Sequence, residues 1–377
     1  MELLFKNLYI RQTAGKGSSM TVKTSIEEGI HNLYPGYFAL VMATGIVSIA
    51  SFLLNMKTVA WVLLWINIIA YMILWAMMLA RLFRYFPRVR DDLASHARGP
   101  GFFTLVAGTC VLGSQFVIMV KDYQTAFGLW LLGVITWFLI MYAFFTAVIV
   151  RENKPSLQEG INGAWLIATV ATQSVSILGT LLFPVNESWG DILLFFTLVM
   201  YLIGCMLYLS IITLIFYRFT FLEVTTAAVT PPYWINMGAV AITTLAGSTL
   251  MLNSSNWVFL QEIDPFLKGF TLFYWAAGTW WIPILFILGI WRHIVKRYPL
   301  TYDPQYWGMV FPLGMYTTST YQLSKALEVS FLQAIPQFFL YVALIAWLAT
   351  FIGMLRKIAN NLALMPTRVK STFIQGK

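Results

Sequence analysis

The chain has 377 residues, of which 59% are apolar and only 10% charged, with a formal net charge of +9. Soluble domains carry about 25% charged residues, so composition excludes a water-soluble globular fold. An aromatic content of 16%, with fifteen tryptophans, fits an integral membrane protein.

Residues 1–34 are polar and basic and lack the charged, apolar, small-residue order of a cleaved signal. They read as a cytoplasmic N-terminal segment. Within it, "SIEEGI" places Glu28 three residues after Ser25, a capping box that predicts a short interfacial helix beginning there. Ten apolar runs follow, each long enough to cross about 30 Å of hydrocarbon: 35–54, 59–80, 101–120, 125–150, 161–183, 191–217, 234–252, 268–291, 307–327 and 336–355. The runs are continuous rather than alternating, which excludes a β-barrel. Short connections make 35–355 one transmembrane domain, and 356–377 read as a cytoplasmic tail.

Orientation follows from Lys and Arg. With the faces numbered alternately, 20 of the 24 basic residues fall on the side of the termini; Lys57, Lys121, Lys268 and Lys325 fall on the other. Both termini are therefore expected in the cytoplasm, with the protein multi-pass in the plasma or inner membrane. The positive charge is a topology signal, and no nucleic-acid partner is expected. The basic loop 81–100 reads first as positive-inside sequence and only second as a contact for membrane lipid headgroups. Cys110 and Cys205 both lie within spans, and His31, His96 and His293 are isolated. No cofactor, metal site or catalytic cluster is expected, and the chain does not read as an enzyme.

Odd and even spans differ. Gly, Ser and Thr make up 31 of 103 residues in odd spans but 16 of 119 in even ones, whereas ten tryptophans lie in even spans. Small residues let helices approach closely, and bulky aromatics suit lipid and its interfaces. The expected fold is all-α: ten transmembrane helices as five parallel hairpins, five inner helices around a central pore and five outer helices.

Polar residues recur on single helical faces. Thr44 and Ser48 do so on the first span, Thr104 and Gly108 on the third, Thr169, Gln173 and Ser176 on the fifth, and Thr243 and Gly247 on the seventh. These are candidate pore-lining residues; helix packing alone is the alternative. On the ninth span, Phe311, Met315, Thr318, Gln322 and Lys325 follow at steps of 4, 3, 4 and 3, a stripe about 21 Å long at ~1.5 Å per residue. Pro312 removes a backbone hydrogen bond beside Phe311. Spacing leaves Phe311 either a packed aromatic, the simpler reading, or the plug of a narrow tube.

"PGYFALVMATGIVSIA" (35–50) and "WGMVFPLGMYTTSTYQL" (307–323) resemble the first and ninth helices of the tellurite-resistance/dicarboxylate transporter family, within the voltage-dependent anion channel superfamily. That family includes fungal malic-acid permeases, sulfite exporters, a bacterial tellurite-resistance protein and plant slow anion channels. The resemblance implies an anion pathway inside a five-helix ring, a homotrimer with one pore per subunit, and a ninth-helix phenylalanine that blocks the pore. That phenylalanine falls on Phe311, next to Pro312, and the resemblance makes this pair the expected gate.

The charges bear on mechanism. Asp191 opens the sixth span, and the other fourteen carboxylates lie in loops or tails, so coupling through a buried carboxylate has no candidate. Lys325 either attracts anions or snorkels to headgroups. One charge crossing 100 mV is worth ~2.3 kcal/mol, so uptake of a dianion against an inside-negative potential of that size costs about 4.6 kcal/mol. The expected function is channel-like or weakly coupled transport of small anions, such as malate-like C4-dicarboxylates or sulfite. The alternative is a proton-coupled, alternating-access carrier for the same acids.

Overall fold

The computed structural model describes residues 22–183 and 189–370, with side chains from 27 to 183 and from 189 to 360. All regular structure among these residues is helical. The N-terminal helix α1 (Val22–His31) begins three residues before Ser25, so the predicted capping box does not mark its start. It packs on the second of the long helices that follow.

Five mostly buried helices alternate with five longer outer ones. The buried set is α2 (Ala39–Leu53), α5 (Phe103–Gln115), α7 (Ile167–Leu181), α9 (Ile235–Leu252) and α11 (Trp307–Ala326). The outer set is α3 (Lys57–Arg84), α6 (Tyr123–Val150), α8 (Gly190–Phe221), α10 (Asp264–Ile290) and α12 (Ala334–Lys370). A short helix, α4 (Phe86–Leu93), follows α3. Among the described residues, nine helices are long and apolar enough to cross a membrane, making this a multi-pass membrane protein. Helix α11 falls outside that nine: its Thr, Ser, Gln and Lys residues dilute the apolar character that its burial would suggest. Helix α12 runs on to Lys370, so much of the segment read as a tail from 356 is helical.

The buried helices form a closed sequence of contacts: α2 on α5, α5 on α7, α7 on α9, α9 on α11, and α11 back on α2. Each outer helix lies against the buried helix that precedes it in the chain. Exposed Trp65, Met72, Phe138, Phe195 and Ile345 on the outer helices present a surface suited to hydrocarbon. Glycine permits the closest approaches. A Cβ at Gly238 of α9 would stand 2.7 Å from Cγ of Pro312, and one at Gly314 would stand 2.9 Å from Cγ2 of Val47. Pro312 is thus accommodated within α11 against a glycine on its neighbour.

The ends of the buried helices share a design. A short 3₁₀ turn rich in Pro and Gly precedes each, from Pro35–Phe38 to Pro304–Tyr306. Proline suits such starts because its missing N–H would have no intrahelical partner there. Three of the tight turns into the outer helix carry a non-glycine residue at positive φ: Asn55 (66°), Lys121 (63°) and Glu328 (57°). Each closes its helix in the left-handed conformation that commonly terminates helices.

Near the N-terminal ends of the first hairpins, Asp92 accepts from Arg81 at 2.6 Å and from Arg98 at 2.7 Å, while Arg81 also donates to the carbonyl of His31 at 3.3 Å. The cluster ties α1, α3, α4 and the segment leading to α5 together. Asp92→Asn leaves Arg81, 2% exposed, without its carboxylate. This should cost about 3 kcal/mol of stability, measured as earlier thermal unfolding in detergent; an unchanged midpoint would show that the cluster contributes no net stability. Overpacking costs about 1–3 kcal/mol, so Gly238→Val should also unfold earlier. Gly269→Val, where a Cβ meets nothing within 4 Å, should leave the midpoint unlowered.

Candidate functional site

All five buried helices contribute to one cavity on the ring axis. Helix α2 supplies Ile46 and Ile49, α5 supplies Val111 and Ser114, and α7 supplies Ser174 and Ile177. Helix α9 adds Ile242, Leu245 and Thr249, and α11 adds Met315, Thr318 and Gln322. Its volume is about 30 Å³, room for a water or two rather than a hydrated anion.

Helical geometry places Phe311 relative to this cavity. At ~100° per residue, Pro312 and Gly314 diverge from Phe311 to opposite sides. Pro312 meets α9 at Gly238, and Gly314 meets α2 at Val47. The direction between those two neighbours is that of Met315 and Thr318, which line the cavity. Phe311 lies one turn before Met315 on this face and is fully buried. Counted from the first residue of each buried helix, Phe311 is the fifth. The fifth residues of the other four are Ala43, Ala107, Ala171 and Ala239, all fully buried. Each stands three or four residues before a cavity-lining side chain of its own helix, and four of the five are alanine.

The lining is mostly apolar, and its hydroxyls point their protons at their own backbone. Ser114 donates to the carbonyl of Cys110 at 3.0 Å, and Ser174 donates to that of Ala171 at 2.7 Å. Thr249 donates to Leu245 at 2.7 Å, and Thr318 donates to Gly314 at 3.1 Å. These oxygens therefore offer lone pairs to the cavity unless the hydroxyls rotate, a change opposed by about 1 kcal/mol each. The Gln322 amide reaches the same space. No charged side chain lines it among the described residues. Lys325 is exposed, one turn beyond Gln322, with its ammonium 4.4 Å from the centroid of the Tyr321 ring.

Of the residues expected along the pore, Met315, Thr318 and Gln322 line the cavity, whereas most of the others face neighbouring helices. Ser48 donates to the carbonyl of Ala60 on α3 at 2.8 Å, and Thr44 accepts from Nε1 of Trp347 on α12 at 3.0 Å. Gln173 and Ser176 donate to the carbonyls of Tyr201 and Thr197 on α8, at 3.0 and 2.7 Å. Gly247 packs against Thr271 of α10, and Gly108 against Val41 of α2. Thr104 and Thr243 donate to carbonyls of their own chain segments, Gly101 and Ala239. Thr169 is buried with its hydroxyl unpartnered. A stripe at three- and four-residue steps identifies a helix face but not the neighbour it meets. The polar faces of α2, α7 and α9 are largely the seams with their outer helices. Ser114, Ser174 and Thr249 were missed because they share their faces with Ile, Leu and Val, leaving no polar stripe to notice.

The family signature described as voltage-dependent anion channel matches residues 32–355, almost the whole helical region. Two relatives, each an uncharacterized transporter of Methanocaldococcus jannaschii, are similar along nearly their full length. One is 26% identical over 87% of this chain and 94% of its own; the other is 24% identical over 88% and 96%. An uncharacterized membrane protein of Mycobacterium tuberculosis is 37% identical over 41% of this chain and 79% of its own. With the signature spanning the buried and outer helices alike, the chain belongs to the voltage-dependent anion channel family.

Proposed function

We propose that this protein conducts small anions along the axis of its five-helix ring and that Phe311, beside Pro312, is the plug. In this reading ten helices cross the plasma or inner membrane as five parallel hairpins, with both termini cytoplasmic. The family resemblance supplies the further expectation of a homotrimer with one pathway per subunit. The observation that supports the proposal is the helical register: Phe311 is fully buried one turn before Met315, on the face whose Met315 and Thr318 line the axial cavity. Removing the ring would open a continuous path into the cavity above it.

The wall also bears on which anions pass. Apolar groups dominate it, and its hydroxyls are engaged with backbone carbonyls. An anion entering must shed water for few compensating hydrogen bonds, and that cost grows with charge density. Weak binding suits conduction, since a tight site cannot release. No carboxylate lines the cavity among the described residues, which favours a passive or weakly coupled pathway over proton coupling through the protein. C4-dicarboxylates and sulfite remain within the proposed substrate class, carried more slowly than weakly hydrated monovalent anions.

Bilayer recordings of the purified protein test this, wild type beside Phe311→Ala, with nitrate, chloride, sulfite and malate. The variant should raise the current by at least roughly tenfold, the effect of lowering a barrier by about 1.4 kcal/mol, with nitrate exceeding chloride and chloride exceeding malate. Silence in both proteins, alongside pH-dependent malate or sulfite flux into liposomes, would instead establish the carrier reading. A malate current larger than that of nitrate would point to a dedicated binding site.

A further inference from the structure

Two clefts outside the axial pathway lie side by side where α11 begins. The larger, about 870 Å³, runs between residues 300–309 and the latter part of α12. The smaller, about 150 Å³, lies between the segment leading into α9 and the end of α10. Leu300, Tyr306 and Met309 wall both, so the two clefts adjoin as lobes on either side of these three side chains.

Each lobe joins an apolar wall to a cation. In the larger, Ala346, Ala349 and Ile352 of α12 face Met309, while Arg356 and Lys357 stand one turn farther along, Lys357 lying 5.7 Å from the Tyr302 ring centroid. In the smaller, Arg292 is only 8% exposed. Its guanidinium stacks 4.3 Å from the Tyr298 ring centroid and donates through Nη1 to the carbonyl of Val229, while its Nε–H has no partner. The ion pairs among the described residues involve none of these three cations. Asp303, on the intervening loop, accepts from the backbone N–H of Gln305 at 2.8 Å.

These features select one class of ligand. A buried donor without an acceptor is costly, and three unpaired cations favour an anion. A soluble anion would leave the apolar wall uncovered, and a zwitterionic lipid would leave the charge unbalanced. The groove opens where Arg292, Lys296 and Arg297 follow α10 and where α12 carries Arg356 and Lys357, with Trp291, Tyr298, Tyr302 and Tyr306 nearby, the pattern of a membrane interface. We propose that this groove binds an anionic phospholipid, its phosphodiester held by Arg292, Arg356 and Lys357 and an acyl chain lying along Met309, Ala346 and Ile352.

Native mass spectrometry of the purified full chain, supplied with phosphatidylglycerol, phosphatidylcholine or inorganic phosphate, tests the site independently of transport. The wild type should retain phosphatidylglycerol in preference to phosphatidylcholine. That preference should fall about fivefold for each charge removed in Arg356→Gln and Lys357→Gln, the worth of one basic residue beside an anionic surface. Arg84→Gln with Arg88→Gln, exposed charges elsewhere, should leave it intact. Arg292→Gln, where it folds, should weaken retention further. Equal retention of the two lipids, or a preference unaffected by R356Q/K357Q, overturns the proposal. Displacement of lipid by inorganic phosphate alone would make this a soluble-anion site. Loss of self-association in R356Q/K357Q with lipid retention unchanged would make the groove a contact between copies. Either outcome also overturns it.

Discussion

Pro312 against Gly238 is the contact on which the axial arrangement turns. A proline within a helix leaves a backbone carbonyl without its usual donor and adds a ring that must be accommodated. Here the ring fits a glycine on α9, while Gly314, two residues on, admits Val47 of α2 on the other flank. The two small-residue contacts set the rotation of α11 between its neighbours. That rotation in turn points Met315 and Thr318 into the axial cavity. If α11 were turned by a quarter, the same side chains would enter the seam with α9 or α2, and the axial cavity would lose the lining that Met315, Thr318 and Gln322 supply.

Satisfying polar groups shapes the remainder of the interior. Nearly every hydroxyl on the buried helices that has a partner uses a backbone carbonyl, within its own helix or on the outer helix beside it. Water is scarce at this depth, so an unpaired hydroxyl is costly, and the carbonyl one turn back is always within reach. The consequence is an axis less polar than the abundance of Ser and Thr suggests. Tryptophans contribute to the seams as well: Trp137 donates to Thr172, and Trp130 donates to the carbonyl of Val175, joining α6 to α7.

Much of the architecture was legible in the sequence. The apolar runs from 35–54 to 336–355 lie close to the observed helices, and the alternation of small and bulky residues corresponds to the alternation of buried and outer helices. The start of α1 was misplaced because the residues before Ser25 continue the helix. The end of α12 was misplaced because polarity after 355 signals departure from lipid, not the end of helical backbone.

The candidate site was legible only in part. Phe311, Met315, Thr318 and Gln322 share a face that sequence spacing identifies, since 3.6 residues per turn fixes which side chains align on one helix. The same rule applied to Ser48, Gln173, Ser176 and Gly247 found real faces, but those faces meet α3, α8 and α10. Sequence by itself determined the class of protein, its long helices and the side chains that travel together on each, because hydropathy and helical period are local properties. Only the tertiary structure decided which face meets the axis, because helix rotation is set by contacts such as Gly238 with Pro312 between residues 74 positions apart.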